Sequence, residues 1–179
     1  MDHLFTIWTI RLAVVCLYSV LILRQILPTQ TFRFGKSTVE VLAKYVWLAG
    51  AFLSVVHTLC AFGFFHDWSH RLAVEDTARQ TDDLLGFRFG GGLYFNYLFV
   101  AIWTVDSLWW IANPESYETR SSWIGFAVIG YLLFIAINGT TVFESGISRW
   151  GGVALLMTLV TCTLLKKIRS RNSFSNHKT

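Results

Sequence analysis

Long apolar stretches alternate with short polar connections along this chain. The apolar stretches run at about 4–23, 45–65, 91–112, 123–143 and 150–165. A helix needs about 20 mainly apolar residues to cross a hydrocarbon core. Four stretches meet that length and the last is short. The pattern predicts an all-α, polytopic transmembrane helical bundle of five spans, forming a single transmembrane domain over 1–179. Between the second and third spans, residues 67–85 carry Trp68, Leu72, Ala78 and Leu85 as a loose apolar stripe. Asp67 is placed to cap a helix start there, and Arg71, Glu75 and Arg79 stand four apart on one face. That segment reads as a short amphipathic helix on the membrane surface, ending near Gly86. The Gly90-Gly91-Gly92 run then leads into the third span.

Composition agrees with the pattern. Hydrophobic residues make up 54% of the chain and mean hydropathy is +0.49, above the range of a soluble domain. The net charge of +4 is clustered in connections and the tail, which marks membrane topology rather than a nucleic-acid partner. The first connection carries Arg24, Arg33, Lys36 and Lys44 against Glu40. The tail, 166–179, carries Lys166, Lys167, Arg169, Arg171 and Lys178 with no acid. Positive residues beside span ends favour the cytoplasm, and five spans put these two segments on one side. The expectation is an outside N-terminus, a cytoplasmic C-terminus and an outer surface helix. The first span is read as retained, because Met1-Asp2-His3 has no basic residue and no small-residue cleavage site follows. Trp47, Trp109, Trp110, Trp123 and Trp150 lie near span ends, as in an interfacial aromatic belt. Cys16, Cys60 and Cys162 fall inside spans without CxxC spacing and read as packing residues.

Polar groups inside spans are costly and face the bundle interior. Here they are Arg11, His57, Asn96, Asn138 and Asp106, with Glu144 at an edge. At 1.5 Å per residue, Arg11 lies roughly 10 Å and His57 about 12 Å below the outer end, with Asn96 and Asn138 roughly 7–8 Å deep. Four spans thus bring polar groups to one outer-leaflet layer, a candidate pocket for a proton or solute. Asp106, roughly 22 Å from the outer end, belongs to the inner half. Gly92, Asn96, Phe99, Trp103, Asp106 and Trp110 follow three-and-four spacing on one face of the third span. Gly50, Ser54, His57 and Ala61 do so on the second, where small residues permit close approach. The plain alternative is that these groups only hydrogen-bond helices together, with Arg11 reaching the headgroups and Asp106 meeting a hydroxyl or a tryptophan N–H.

His66 and His70 would stand one helical turn apart if the backbone stays helical. They could then chelate a transition metal, Zn, Cu or Fe, with Asp67 and with Glu75 or His3 completing the shell. Headgroup or carbonyl hydrogen bonds explain interfacial histidines equally simply. A bis-histidine haem lacks its second buried ligand, since only His57 is clearly within a span. Asn138-Gly139-Thr140 matches a glycosylation acceptor in form but lies at a span.

The runs His66-Asp67-Trp68-Ser69-His70, Thr77-Ala78-Arg79-Gln80-Thr81 and Gly90-Gly91-Gly92-Leu93-Tyr94-Phe95-Asn96-Tyr97 resemble an uncharacterised integral membrane protein family of planctomycete-type bacteria. The resemblance covers about the middle third of the chain. It implies a bacterial inner membrane and brings no activity, cofactor or partner. Two classes of function remain. One is a non-catalytic membrane component that binds a membrane protein partner or a second copy of itself. The other is a small metal- or redox-handling membrane protein using the outer-face histidines, or a proton- or solute-handling pocket in the outer leaflet.

Overall fold

In the computed structural model the chain is an all-α bundle, described over residues 2–27, 37–142 and 146–176, with side chains over 4–27, 37–141 and 146–169. His3, Arg33, Lys36, Glu144, Arg171 and Lys178 lie outside those side chains. The helices are α1 (Asp2–Ile26), α2 (Thr38–Phe65), α3 (His70–Leu85), α4 (Gly92–Ala112), α5 (Pro114–Thr119), α6 (Ser122–Ile137) and α7 (Gly146–Asn176). A π-helical turn, Asn138–Val142, extends α6. Five of them are long and apolar enough to cross a bilayer, over Leu4–Ile26, Thr38–Phe65, Gly92–Ala112, Ser122–Thr141 and Gly146–Arg169. The chain is a multi-pass membrane protein.

The α2 and α7 spans run furthest past the apolar stretches that announce them. α2 begins at Thr38 rather than 45, because Glu40 and Lys44 pair one turn apart at 3.1 Å and are buried together. Each neutralises the other, so the helix carries both inside. α7 contains a candidate span of 24 residues, where the hydropathy pattern marks only 150–165. Lysine and arginine are good helix formers, so the helix outlasts its apolar part.

The ends of α3 and α5 are set by local chemistry. Ser69 Oγ accepts from the Leu72 N–H and Gly86 closes α3 in the left-handed region at φ 76°. Asn113 Oδ1 accepts from the Ser116 N–H at 3.0 Å and Pro114 opens α5, the usual place for a proline lacking its N–H. α3 is the expected amphipathic segment, starting at His70 with Ser69, not Asp67, as its cap. Asp67 and Trp68 instead sit at positive φ, 46° and 58°, and turn the chain between α2 and α3. The Trp68 N–H bonds the Phe62 carbonyl at 2.9 Å, which closes the end of α2.

α1 packs against α2 and α7, α2 against α4, α4 against α6, and α7 against the π turn. The tightest crossing is at Gly50, where an added Cβ would lie 2.5 Å from Trp103 Cζ2 and 2.9 Å from Cys16 Cβ. Ala13, Leu17, Tyr18, Ala51, Phe99, Trp103, Leu132 and Ala136 fill the interior around it. In the π turn, Thr140 and Thr141 hydroxyls bond the Ala136 and Ile137 carbonyls, satisfying backbone groups that the wider turn frees. Outside, Trp123, Phe126, Ile147 and Trp150 are mostly exposed, as side chains that face lipid are.

Candidate functional site

The most heavily built polar site lies where α4 ends and α5 folds back. Phe99, Trp103, Asp106 and Trp110 are all buried on one face of α4, so the three-and-four spacing carries Asp106 into the bundle. Its carboxylate is held by three donors from three places in the chain. Trp47 Nε1 of α2 and Tyr117 O–H of α5 each donate to Oδ2 at 2.9 Å. Arg120, between α5 and α6, donates from Nη1 to Oδ1 at 2.5 Å. Asp106 and Arg120 side chains are 3% and 8% exposed, so this is a buried ion pair.

Aromatic rings wall the pair in. Tyr117 stacks on Trp110 with centroids 5.1 Å apart and planes 10° off parallel. The Arg120 guanidinium lies 3.8 Å from the Tyr117 ring, and that of Arg24, from the last turn of α1, lies 4.3 Å from the Trp110 ring. Cations over ring faces gain from the quadrupole, more so out of water. Trp109 Nε1 donates to Ser116 Oγ at 3.2 Å and holds α5 against α4. Lys166 of α7 donates to the Arg24 carbonyl at 2.8 Å, so all but α3 of the helices meet at this end. Burial pushes the Tyr117 phenol up to about 12, and the Asp106 charge adds to the rise while Arg24 and Arg120 oppose it. The adjoining cleft, lined by Val20, Leu21, Arg24, Trp47, Trp110, Tyr117 and Ile129, is too narrow to admit a water molecule.

Chemically, Asp106 is a well-satisfied carboxylate: Oδ1 takes one donor and Oδ2 two, all of them bonds to a charged acceptor. Such a group ties helices together at low dielectric, where losing a partner is expensive. Of its partners, the sequence pattern assigns Trp47 and the neighbouring Trp109 and Trp110 to an interfacial belt. Tyr117, Arg120 and Arg24 carry no signal that links them to Asp106. The one available cue is Asn113-Pro114-Glu115, a helix start immediately after a span, which folds Tyr117 back.

The other candidate residues are placed apart from Asp106 and largely from each other. His57 Nδ1 meets the Thr6 carbonyl at 2.9 Å, joining α2 to the first turns of α1. Arg11 lies with its guanidinium 5.4 Å from the Trp8 ring, and its Nε is buried. Asn96 is exposed. Asn138 Nδ2 donates to the Phe134 carbonyl on its own helix at 2.7 Å. No hydrogen bond or ion pair among the described residues joins Arg11, His57, Asn96 and Asn138 to one another.

His66 caps α2 and His70 opens α3, with the Asp67–Trp68 turn between them, so they do not share one continuous helix. His70 has Tyr97 O–H and Tyr94 O–H at 3.2 Å, one at each ring nitrogen. His66 packs edge-on to Phe62, which in turn lies 5.9 Å from Tyr97. Asp67 is exposed, and among the described residues no three His, Cys, Asp or Glu side chains gather as a metal-ligand set.

No family model matches the chain, and neither a curated protein nor a solved structure is significantly similar to it.

Proposed function

We propose that the chain is a non-catalytic component of a bacterial inner membrane, a helical bundle that packs with or anchors a membrane protein partner or a second copy of itself. Its N-terminus faces outward and its C-terminus the cytoplasm, following the basic residues at the α1 and α7 ends. The observation that carries the reading is the closure of Asp106. The single carboxylate of α4 is spent on Trp47, Tyr117 and Arg120, with aromatic rings around it and a cleft too narrow for water beside it. A carboxylate that relays protons needs a path of exchangeable donors to solvent. Here its partners are a tryptophan N–H, a phenol and a guanidinium that serve better as ties.

Proton flux in proteoliposomes tests this reading. With a pH-sensitive dye inside and an imposed gradient, vesicles with protein should leak no faster than protein-free vesicles. A leak that vanishes in Asp106→Asn would overturn it. The metal-handling reading keeps His66, Asp67 and His70 as its ligands, gathered in sequence around the turn between α2 and α3. Elemental analysis of the same purified sample decides it: a stoichiometric Zn, Cu or Fe that is lost in His66→Ala or His70→Ala would replace the scaffold reading.

A further inference from the structure

α1 keeps one face outside the bundle. Packed against α2 and α7, it buries Ala13, Val14, Leu17 and Leu21, whereas Leu4, Trp8 and Val15 are exposed. Arg11, part-exposed, stands in the same row. The four-three-four spacing of Leu4, Trp8, Arg11 and Val15 keeps all four within about 60° around the helix, the seam by which one helix meets another. Arg11 is the one charge on that seam. It lies roughly 10 Å along the helix from Leu4. Its guanidinium is held 5.4 Å from the Trp8 ring, and Trp8 itself is roughly 6 Å further into the span than Leu4. The cation therefore rests against a ring beneath the headgroups. Its Nε is buried without a hydrogen-bond partner. The ion pairs of the described residues are spent elsewhere, joining Lys44 to Glu40, Arg79 to Asp76, Arg88 to Glu75 and Arg120 to Asp106. A charge at membrane depth is costly and pairs within a bundle. This one has no carboxylate and faces out.

We propose that the α1 seam docks a transmembrane helix of a different protein, one that carries an Asp or Glu at the depth of Arg11. The inference rests on the scaffold reading above and names the chemistry of its partner. A carboxylate takes two parallel bonds from a guanidinium, and the attraction is strongest where water is excluded. The apolar neighbours Leu4, Trp8 and Val15 supply the packing on either side of the pair. A second copy does not suit the seam. Copies inserted the same way and related by a two-fold axis would set Arg11 against Arg11.

Energy transfer in phosphatidylcholine vesicles at about pH 8 reads the pairing. The full-length protein is the donor through its tryptophans, and a dansyl-labelled synthetic helix is the acceptor. That helix is about 20 leucines and alanines with one Glu about 10 Å from one end, or Gln in its place. Wild type should bind the Glu helix at least about fivefold more tightly than the Gln helix. Arg11→Leu should remove the preference and leave binding of the Gln helix unchanged, while Arg11→Lys should keep part of it. Phosphatidylglycerol added at the concentration of the helix should not compete. Equal binding of the two helices or a preference that survives Arg11→Leu would overturn the proposal. So would loss of the preference to phosphatidylglycerol, which would assign Arg11 to a lipid headgroup. Energy transfer between separately labelled copies of the protein that vanishes in Arg11→Leu would overturn it in favour of a self-interface. Failure in proton-tight vesicles removes the acidic partner alone, whereas an Asp106-dependent leak removes the scaffold reading beneath it.

Discussion

Removal of Arg120 is the perturbation that discriminates best, because the residue touches Asp106 through one bond and otherwise meets only ring faces, Tyr117 closely and Trp109 at 5.7 Å. In Arg120→Gln the carboxylate keeps the Trp47 N–H and the Tyr117 O–H but loses its counter-charge at a site 3% exposed. Breaking a buried pair from one side costs about 3–5 kcal/mol, since the charge left behind can neither be hydrated nor neutralised cheaply. Loss of the cation 3.8 Å from the Tyr117 ring adds roughly 1 kcal/mol. Reversible unfolding in mixed micelles with increasing dodecyl sulfate, followed by tryptophan fluorescence, measures the change. The double variant Asp106→Asn/Arg120→Gln removes both charges while leaving an acceptor for Trp47 and Tyr117. It should regain most of the loss, giving a coupling of at least about 2 kcal/mol in the cycle. A single variant within about 0.5 kcal/mol of wild type, the range of ordinary surface substitutions, would refute the reasoning.

Tyr117→Phe keeps the stack on Trp110 and removes one bond to a charged acceptor, so it should cost about 1.5–3 kcal/mol in the same assay. The phenol is held up to about 12 against an ordinary value of 10.0, so the folded state favours its neutral form. Its contribution is therefore complete below pH 10 and is lost as pH rises through 12. Unfolding measured from pH 9 to 12 should show wild type weakening on that limb more steeply than Tyr117→Phe; parallel curves would contradict the assignment. Gly50→Ala places a methyl 2.5 Å from Trp103 and should cost about 1–3 kcal/mol by overpacking, with a neutral or stabilising effect counting against the tight crossing.

Hydropathy reads the membrane spans well because burial in hydrocarbon acts on every residue of a helix at once. It reads helix ends poorly where charges are neutralised locally. Glu40 and Lys44 look like a polar connection in the sequence, yet their pairing lets α2 begin at Thr38. The spacing of Phe99, Trp103, Asp106 and Trp110 is periodic and local, so it places Asp106 inside from sequence alone. Its partners are 59, 11 and 14 residues away, and no local pattern encodes those meetings. Similar depth also proves weaker than it looks as a sign of proximity. Depth fixes one coordinate of a side chain, whereas contact also needs the facing direction. Asn96 is exposed and Asn138 turns back on its own helix, although both fall in the same outer-leaflet layer as His57. His66 and His70 fail to share a helix for a backbone reason, the positive φ of Asp67 and Trp68; Asp tolerates that conformation, but nothing about Trp68 advertises it.

The scaffold reading stands on the closure of the bundle around Asp106, with no room for water beside it. Its most direct test is thiol labelling at Ser107, which is 1% exposed beside Asp106, in a background lacking Cys16, Cys60 and Cys162. In intact membranes, Ser107→Cys should resist a charged, water-soluble thiol reagent added to both sides, while the exposed Ser121→Cys in the same background reacts readily. Labelling of Ser107→Cys at a rate comparable to Ser121→Cys would mean that water reaches Asp106, and would contradict the account.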